Sequence, residues 1–129
     1  MQFKLKTEVL GFSALKEVYF KKENDIFSVL KDIEHTNIAF TLVNPFVLIK
    51  DYSYKLSIAL QTLLEINEKS NIEIYCTVLR QNPANRSKVN FLAPYVLNYD
   101  NNTCAQVILR SSEYPQFGYA EELKTFISS

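Results

Sequence analysis

Glycine is almost missing from this chain. Among 129 residues only Gly11 and Gly118 are glycine. That excludes a P-loop and a glycine-rich dinucleotide turn, because both need several Cβ-free positions where backbone meets phosphate. Histidine is scarcer still, with His35 alone. A histidine triad would have to use it beside Ser28 or Asp32, and no nucleophile-elbow sequence accompanies it. It falls in an expected turn and reads as a surface residue. The two cysteines, Cys76 and Cys104, lie far apart without a CxxC. They read as reduced, buried thiols rather than a disulfide scaffold or a zinc site. The adjacent acids Glu121 and Glu122 read as the solvated start of a helix, not as a glycosidase pair. Catalysis, a metal and a cofactor are therefore not expected.

An excess of one charge is also lacking. Fourteen basic and fourteen acidic residues cancel, the pI is about 6.6, and only Arg80, Arg86 and Arg110 are arginine. Long-range attraction to nucleic acid or anionic lipid has little to act on. The cluster Tyr19-Phe20-Lys21-Lys22 resembles a base-stacking platform. Neutral charge favours reading it instead as a lysine-protected edge strand. No apolar run approaches the ~18 residues that span a bilayer. The alternating start Met1-Gln2-Phe3-Lys4-Leu5-Lys6 lacks the apolar core and cleavage site of a signal peptide. The expectation is a cytoplasmic protein, so the glycosylation patterns at Asn85 and Asn101 are chance.

What is present is period-two patterning. With 47% hydrophobic and 22% charged residues, the chain suits one globular domain over 1–129. Ile72, Ile74, Cys76 and Val78 share one face of an expected strand. Lys16 to Lys22 is read as a strand, as is a run holding Phe40 and Leu42. Val107 and Leu109 suggest a late strand after the turn signal Asp100-Asn101-Asn102. Two helices are predicted. One runs from Ser57, a candidate cap, to Ile66, with Leu56, Leu60, Leu63 and Leu64 in a stripe. The other covers Tyr119 to Ile127, grouping Tyr119, Leu123, Phe126 and Ile127. These elements argue for an antiparallel β-barrel or a strongly twisted sheet. Asp25 to Ile33 fits either helical spacing or strand composition.

Two phrases carry more: Leu42-Val43-Asn44-Pro45-Phe46 and Asn90-Phe91-Leu92-Ala93-Pro94-Tyr95-Val96-Leu97-Asn98. Each is an apolar run interrupted by proline, which removes a ladder donor and fixes φ. The residue before it, Asn44 or Ala93, is pushed to extended backbone. Strand, redirection and second strand is the expectation for both, with Asn44 and Asn90 holding the bends through side-chain hydrogen bonds. Together with Gln106-Val107-Ile108-Leu109 and Tyr114-Pro115, their order resembles the FliW family of flagellar assembly factors, from about Phe3 to Pro115.

That resemblance implies a mainly β, compact, antiparallel β-barrel-like single domain with two short helices. It tips Asp25 to Ile33 toward a strand paired with Ile38 to Val43 through Glu34-His35-Thr36-Asn37. It also implies a protein that binds flagellin and, once released, binds and allosterically antagonises CsrA, relieving repression of flagellin mRNA. Such a protein has no direct nucleic-acid or membrane partner and is monomeric when free. Two features depart from the family's pattern: the neutral overall charge, and Arg110 where an acidic residue is expected.

Eight tyrosines and nine phenylalanines without tryptophan suit a recognition surface. Tyr52, Tyr54, Tyr95, Tyr99, Tyr114 and Tyr119 fall near expected strand ends or loops. They read equally as barrel ends or partner contacts. The run Val47-Leu48-Ile49-Lys50-Asp51-Tyr52 ends like an interface rim, and Asp51-Tyr52 matches the family's pattern. The candidate partner-binding residues are Val47, Asp51, Tyr52, Asn98, Tyr99 and Tyr114. The competing expectation is an oligonucleotide-binding small barrel, which requires a basic groove.

Overall fold

The structure, a computed structural model, describes residues 1–9, 11–12, 15–35 and 37–126. Its strands are β1 (Gln2–Leu5), β2 (Glu17–Lys22), β3 (Phe27–Asp32), β4 (Ala39–Val43), β5 (Ile72–Leu79), β6 (Lys88–Asn98), β7 (Thr103–Gln106) and β8 (Glu121–Glu122). Two short helices, α1 (Pro45–Leu48) and α2 (Ile58–Leu63), lie between β4 and β5. The strands pair in the order β5-β4-β3-β2-β1-β7-β6, and β5 also pairs with β6, so the seven close into a barrel. The short β8 attaches outside the ring at Lys88 and Val89. The barrel is not wholly antiparallel, because β1 and β7 run parallel, with Lys4 opposite Thr103 and Leu5 opposite Cys104. Seven strands cannot alternate in direction around a ring, so one parallel seam is compulsory.

Alternation fills the interior. Phe3 and Leu5, then Val18 and Phe20, point inward, and Leu30, Leu42, Tyr75, Tyr95, Leu97 and Cys104 complete the core. Asp25 to Ile33 resolves as strand: β3 pairs with β4 from Phe27↔Val43 to Lys31↔Ala39. Asn24 opens the β2–β3 turn by accepting the Ile26 and Phe27 N–H groups. Asp32 organises the next turn, its Oδ2 accepting the His35 N–H at 2.9 Å and lying 2.7 Å from His35 Nδ1. Thr36 in that turn lies outside the described residues. Lys21 and Lys22 are not on an edge strand, since β2 sits between β1 and β3.

The two prolines act differently from each other and from the sequence expectation. Pro45 starts α1 rather than a second strand, with Asn44 Oδ1 capping the Phe46 N–H at 3.0 Å. Pro94 does not break β6, which runs unbroken from Lys88 to Asn98. Between Tyr75↔Tyr95 and Thr77↔Asn90, only Cys76 on β5 faces Phe91 to Pro94 on β6. The missing N–H of Pro94 therefore falls where the ladder has already opened. Asn90 Oδ1 accepts the Leu92 N–H at 2.9 Å as this bulge begins.

Residues after β7 supply the lost partners. The late strand expected over Gln106 to Arg110 is not formed, since β7 ends at Gln106, yet Val107 N–H donates to Pro94 O at 2.8 Å and Leu109 N–H to Leu92 O at 2.7 Å. Phe91 N–H donates to Gly118 O at 2.9 Å. A second core forms here, outside the barrel, from Val43, Tyr52, Cys76, Val78, Val89, Phe91, Leu109, Phe117 and Leu123.

Helix α2 starts at Ser57, whose Oγ accepts the Leu60 N–H at 3.1 Å. Leu60 and Leu64 bury against Val96 and Ala105, while Leu63 is exposed. The expected helix over Tyr119 to Ile127 is not formed. Instead β8 pairs with β6 and a 3-10 turn follows at Leu123–Thr125; Ile127 lies outside the described residues. Leu123 and Phe126, three apart, pack on one side of that tight turn. No helix among the described residues is long and apolar enough to cross a membrane.

Candidate partner-binding site

Three surfaces concentrate side chains capable of recognition. The first is built by α1 and the segment after it. The cap at Asn44 turns the chain so that Phe46 and Val47 stand 43% and 49% exposed, and Asp51 is exposed nearby. Beneath them lies an aromatic cluster. The Tyr52 ring lies 5.9 Å from Phe46, 6.0 Å from Tyr54 and 4.7 Å from Phe117, and Tyr114 stacks on Phe117 at 5.8 Å. Tyr114 Oη accepts the Lys55 N–H at 3.0 Å, tying the two loops together. Val47, Asp51, Tyr52 and Tyr114 thus belong to one neighbourhood.

Within it, Tyr52 is not a surface residue. It is 1% exposed and its hydroxyl donates to Phe91 O at 2.9 Å. The buried Cys76 thiol approaches Tyr52 Oη at 3.7 Å. Burial, with Cys76 beside it, pushes the Tyr52 hydroxyl well above its ordinary value, and burial raises Tyr54 likewise. Tyr54 Oη is buried with no hydrogen-bond partner among the described residues. Burial pushes both Cys76 and Cys104 up to about 12, so neither is a nucleophile at neutral pH.

The second surface, at one end of the barrel, surrounds Glu73. Its Oε1 accepts from the Tyr75 hydroxyl at 3.1 Å and from the Tyr99 hydroxyl, and Lys22 Nζ lies 3.5 Å from Oε2. Tyr99 is half-buried, edge-on to Phe3 at 5.3 Å. Burial first, then the Glu73 carboxylate, raise both hydroxyls. Asn98 is fully buried next door, donating to Leu64 O at 2.8 Å and accepting the Asp100 N–H at 3.0 Å. Asn98 therefore holds α2 to the turn after β6 rather than facing a partner. The six candidate residues divide between two places, and burial removes Tyr52 and Asn98 from direct contact. Tyr95, expected near a strand end, is also buried within β6.

The third surface was not singled out by sequence. At the mouth of the barrel near Thr77, Val9, Phe40, Ala93 and Tyr95 wall a cavity of about 260 Å³, with Leu79 and Tyr119 beside it. Leu79 and Tyr119 are 63% and 76% exposed. Only barrel closure brings these positions together. The local signs were Tyr95 and Tyr119, read from sequence only as separate strand-end or loop tyrosines, and Leu79, an apolar residue at the solvent end of an alternating strand. Among the described residues, no group of three or more His, Cys, Asp or Glu side chains is placed to hold a metal.

Comparison with known proteins is consistent along the chain. The family model described as FliW protein matches residues 1–117. Flagellar assembly factor FliW 1 of Wolinella succinogenes is 39% identical over 127 residues, covering 98% of each chain. Flagellar assembly factor FliW of Helicobacter pylori is 40% identical over 131 residues, covering 98% of this chain and 95% of its own. A crystal structure of the flagellar assembly factor FliW superposes with a TM-score of 0.85 at 20% identity, covering 95% of this chain and 84% of that one. That structural likeness speaks for the fold, and the sequence matches for descent. This chain belongs to the FliW family of flagellar assembly factors.

Proposed function

We propose that this protein binds unassembled flagellin in the cytoplasm and, when flagellin is exported and releases it, binds CsrA and antagonises it. It acts by partner exchange, not catalysis. The observation that carries this reading is the match to flagellar assembly factors over 98% of both chains. Exchange requires two binding free energies of similar size, because an overwhelming preference for flagellin would leave the factor captive at every flagellin level. The exposed side of α1, with Val47 and Asp51 above the Tyr114 cluster, supplies an apolar patch with a charge at its margin, a composition suited to an interface. A poorly ordered flagellin terminus that folds on contact fits such a patch. A basic groove for single-stranded nucleic acid has no support in a chain of zero net charge.

The test is size-exclusion chromatography of the protein with monomeric flagellin and CsrA from the same bacterium, separately and together. Complexes with each, and displacement of CsrA by flagellin, are the expected result. No complex with either overturns the reading, and a flagellin complex alone removes its translational arm. Val47→Asp with Asp51→Lys, both at exposed positions, is expected to weaken one complex at least tenfold, as loss of a central contact does. Unchanged affinity for both partners would move the contact elsewhere.

A further inference from the structure

The barrel-mouth cavity has two chemical ends. Its inner wall is mostly apolar: Val9 and Tyr95 are 3% and 1% exposed, with Ala93 and Phe40 beside them, and Thr77 and Gln106 are its polar members. Its rim carries Lys88, which makes no ion pair among the described residues and also lines an adjoining polar recess with Gln81, Asn82, Arg86 and Glu122. Glu122 is the single carboxylate there. It stands opposite Lys88 in the β6–β8 register, but its Oε2 pairs with Lys124 at 3.2 Å. The rim therefore has one cation, Lys88, with Arg86 and the Lys124-paired Glu122 in the adjoining recess, where Glu122 Oε2 is buried without a hydrogen-bond partner among the described residues. Asn90 also lines the cavity, with its Oδ1 accepting the Leu92 N–H. About 260 Å³ equals roughly nine waters' share of liquid volume. That is room for a chain of about eight carbons and too small for a cofactor-sized ligand.

We propose that this mouth is a binding site for a small amphipathic carboxylate, its hydrocarbon body among Val9, Phe40, Ala93 and Tyr95 and its carboxylate on Lys88. Small closed barrels have room for one such ligand, and burial of its apolar body supplies most of the affinity. The exposed lysine supplies the preference for an anion over a neutral or cationic headgroup, since desolvation on the apolar side strengthens the pair only partly. No residue of α1 lines the site, so its small-molecule test is read separately from that of flagellin or CsrA binding.

The test uses isothermal titration of the full chain with octanoate, 1-octanol and octylamine, each below its aggregation limit, supported by thermal melts. Octanoate is expected to bind and raise the melting temperature, octanol to bind more weakly, and octylamine to bind least. Lys88→Gln, at an exposed strand position, is expected to weaken octanoate about fivefold while leaving octanol unchanged. Ala93→Leu, which fills the cavity, is expected to abolish both. Absence of octanoate binding, equal binding of octylamine, or full octanoate affinity in Lys88→Gln would each overturn the proposal.

Discussion

The Tyr52 hydroxyl reaches the Phe91 carbonyl across 2.9 Å, and Phe91 lies in the stretch of β6 that has parted from β5. A side chain from the loop after α1 thus serves a carbonyl in the opened part of the ladder. Tyr52→Phe is expected to cost about 1–2 kcal/mol through that unpaired buried group. Tyr52→Ala also removes the ring packed on Phe46, Phe91 and Phe117, and is expected to cost about 3–5 kcal/mol. Urea unfolding measures both. Partner affinity of the folded fraction of Tyr52→Phe should be unchanged, because the ring never reaches the surface.

Asp32 gives the fold an acid-sensitive joint. Burial alone would raise its carboxyl, but the hydrogen bonds from His35 and the Glu34 backbone outweigh that and hold it below its ordinary value of 3.8. A carboxyl depressed in the folded state stabilises above the unfolded value and loses that contribution as pH falls through the folded one. Wild-type protein is therefore expected to lose stability on acidification through about pH 4, where an unfolded Asp is roughly half protonated. Asp32→Asn should be less stable at pH 7 and show a shallower decline, read from melts across pH 2 to 7.

Both thiols should be silent in the native protein. Cys76 and Cys104 are fully buried and pushed from 9.0 up to about 12, which leaves about a thousandfold less thiolate than an exposed cysteine at pH 8. Alkylation by iodoacetamide, followed by mass, is expected to be negligible in buffer and complete in denaturant. Rapid native labelling at Cys76 would show that the second core opens readily, and at Cys104 that the barrel interior does.

The cap at Asn44 is separable from the apolar surface it positions. Asn44→Ala is expected to cost about 1 kcal/mol, and Asn44→Asp, which keeps the acceptor, to recover most of it. If α1 carries a partner contact, Asn44→Ala should also slow or weaken binding, while Asn44→Asp should not. Parallel unfolding and titration of the two variants separate these effects.

Local chemistry was legible in the sequence, and closure was not. Alternation along Ile72 to Val78 marks β5 because one face of a strand meets the core wherever its neighbours lie. Ser57 and Asn44 announce helix starts or bends because a short side-chain acceptor acts within three residues. Pro94 misled because the missing donor matters only if a partner strand asks for it, and β5 does not. The C-terminal segment misled because the spacing of Leu123 and Phe126 suits a 3-10 turn as well as an α-helix. The division of the candidate residues has the same origin. Tyr52 and Asn98 look like exposed loop aromatics and turn formers until the second core and α2 close over them.

The parallel seam sets an order on synthesis. Lys4 and Leu5 pair with Thr103 and Cys104, so β1 lacks one neighbour until β7 has left the ribosome. A nascent β1–β4 meander has its hairpins but an unfinished wall, with Phe3, Phe20 and Leu42 awaiting the far side of the barrel. Such long-range closure slows folding and keeps apolar surface and strand edges open during translation. A chain truncated before Thr103 has no seam to close, which leaves apolar surface and strand edges open to proteolysis or aggregation.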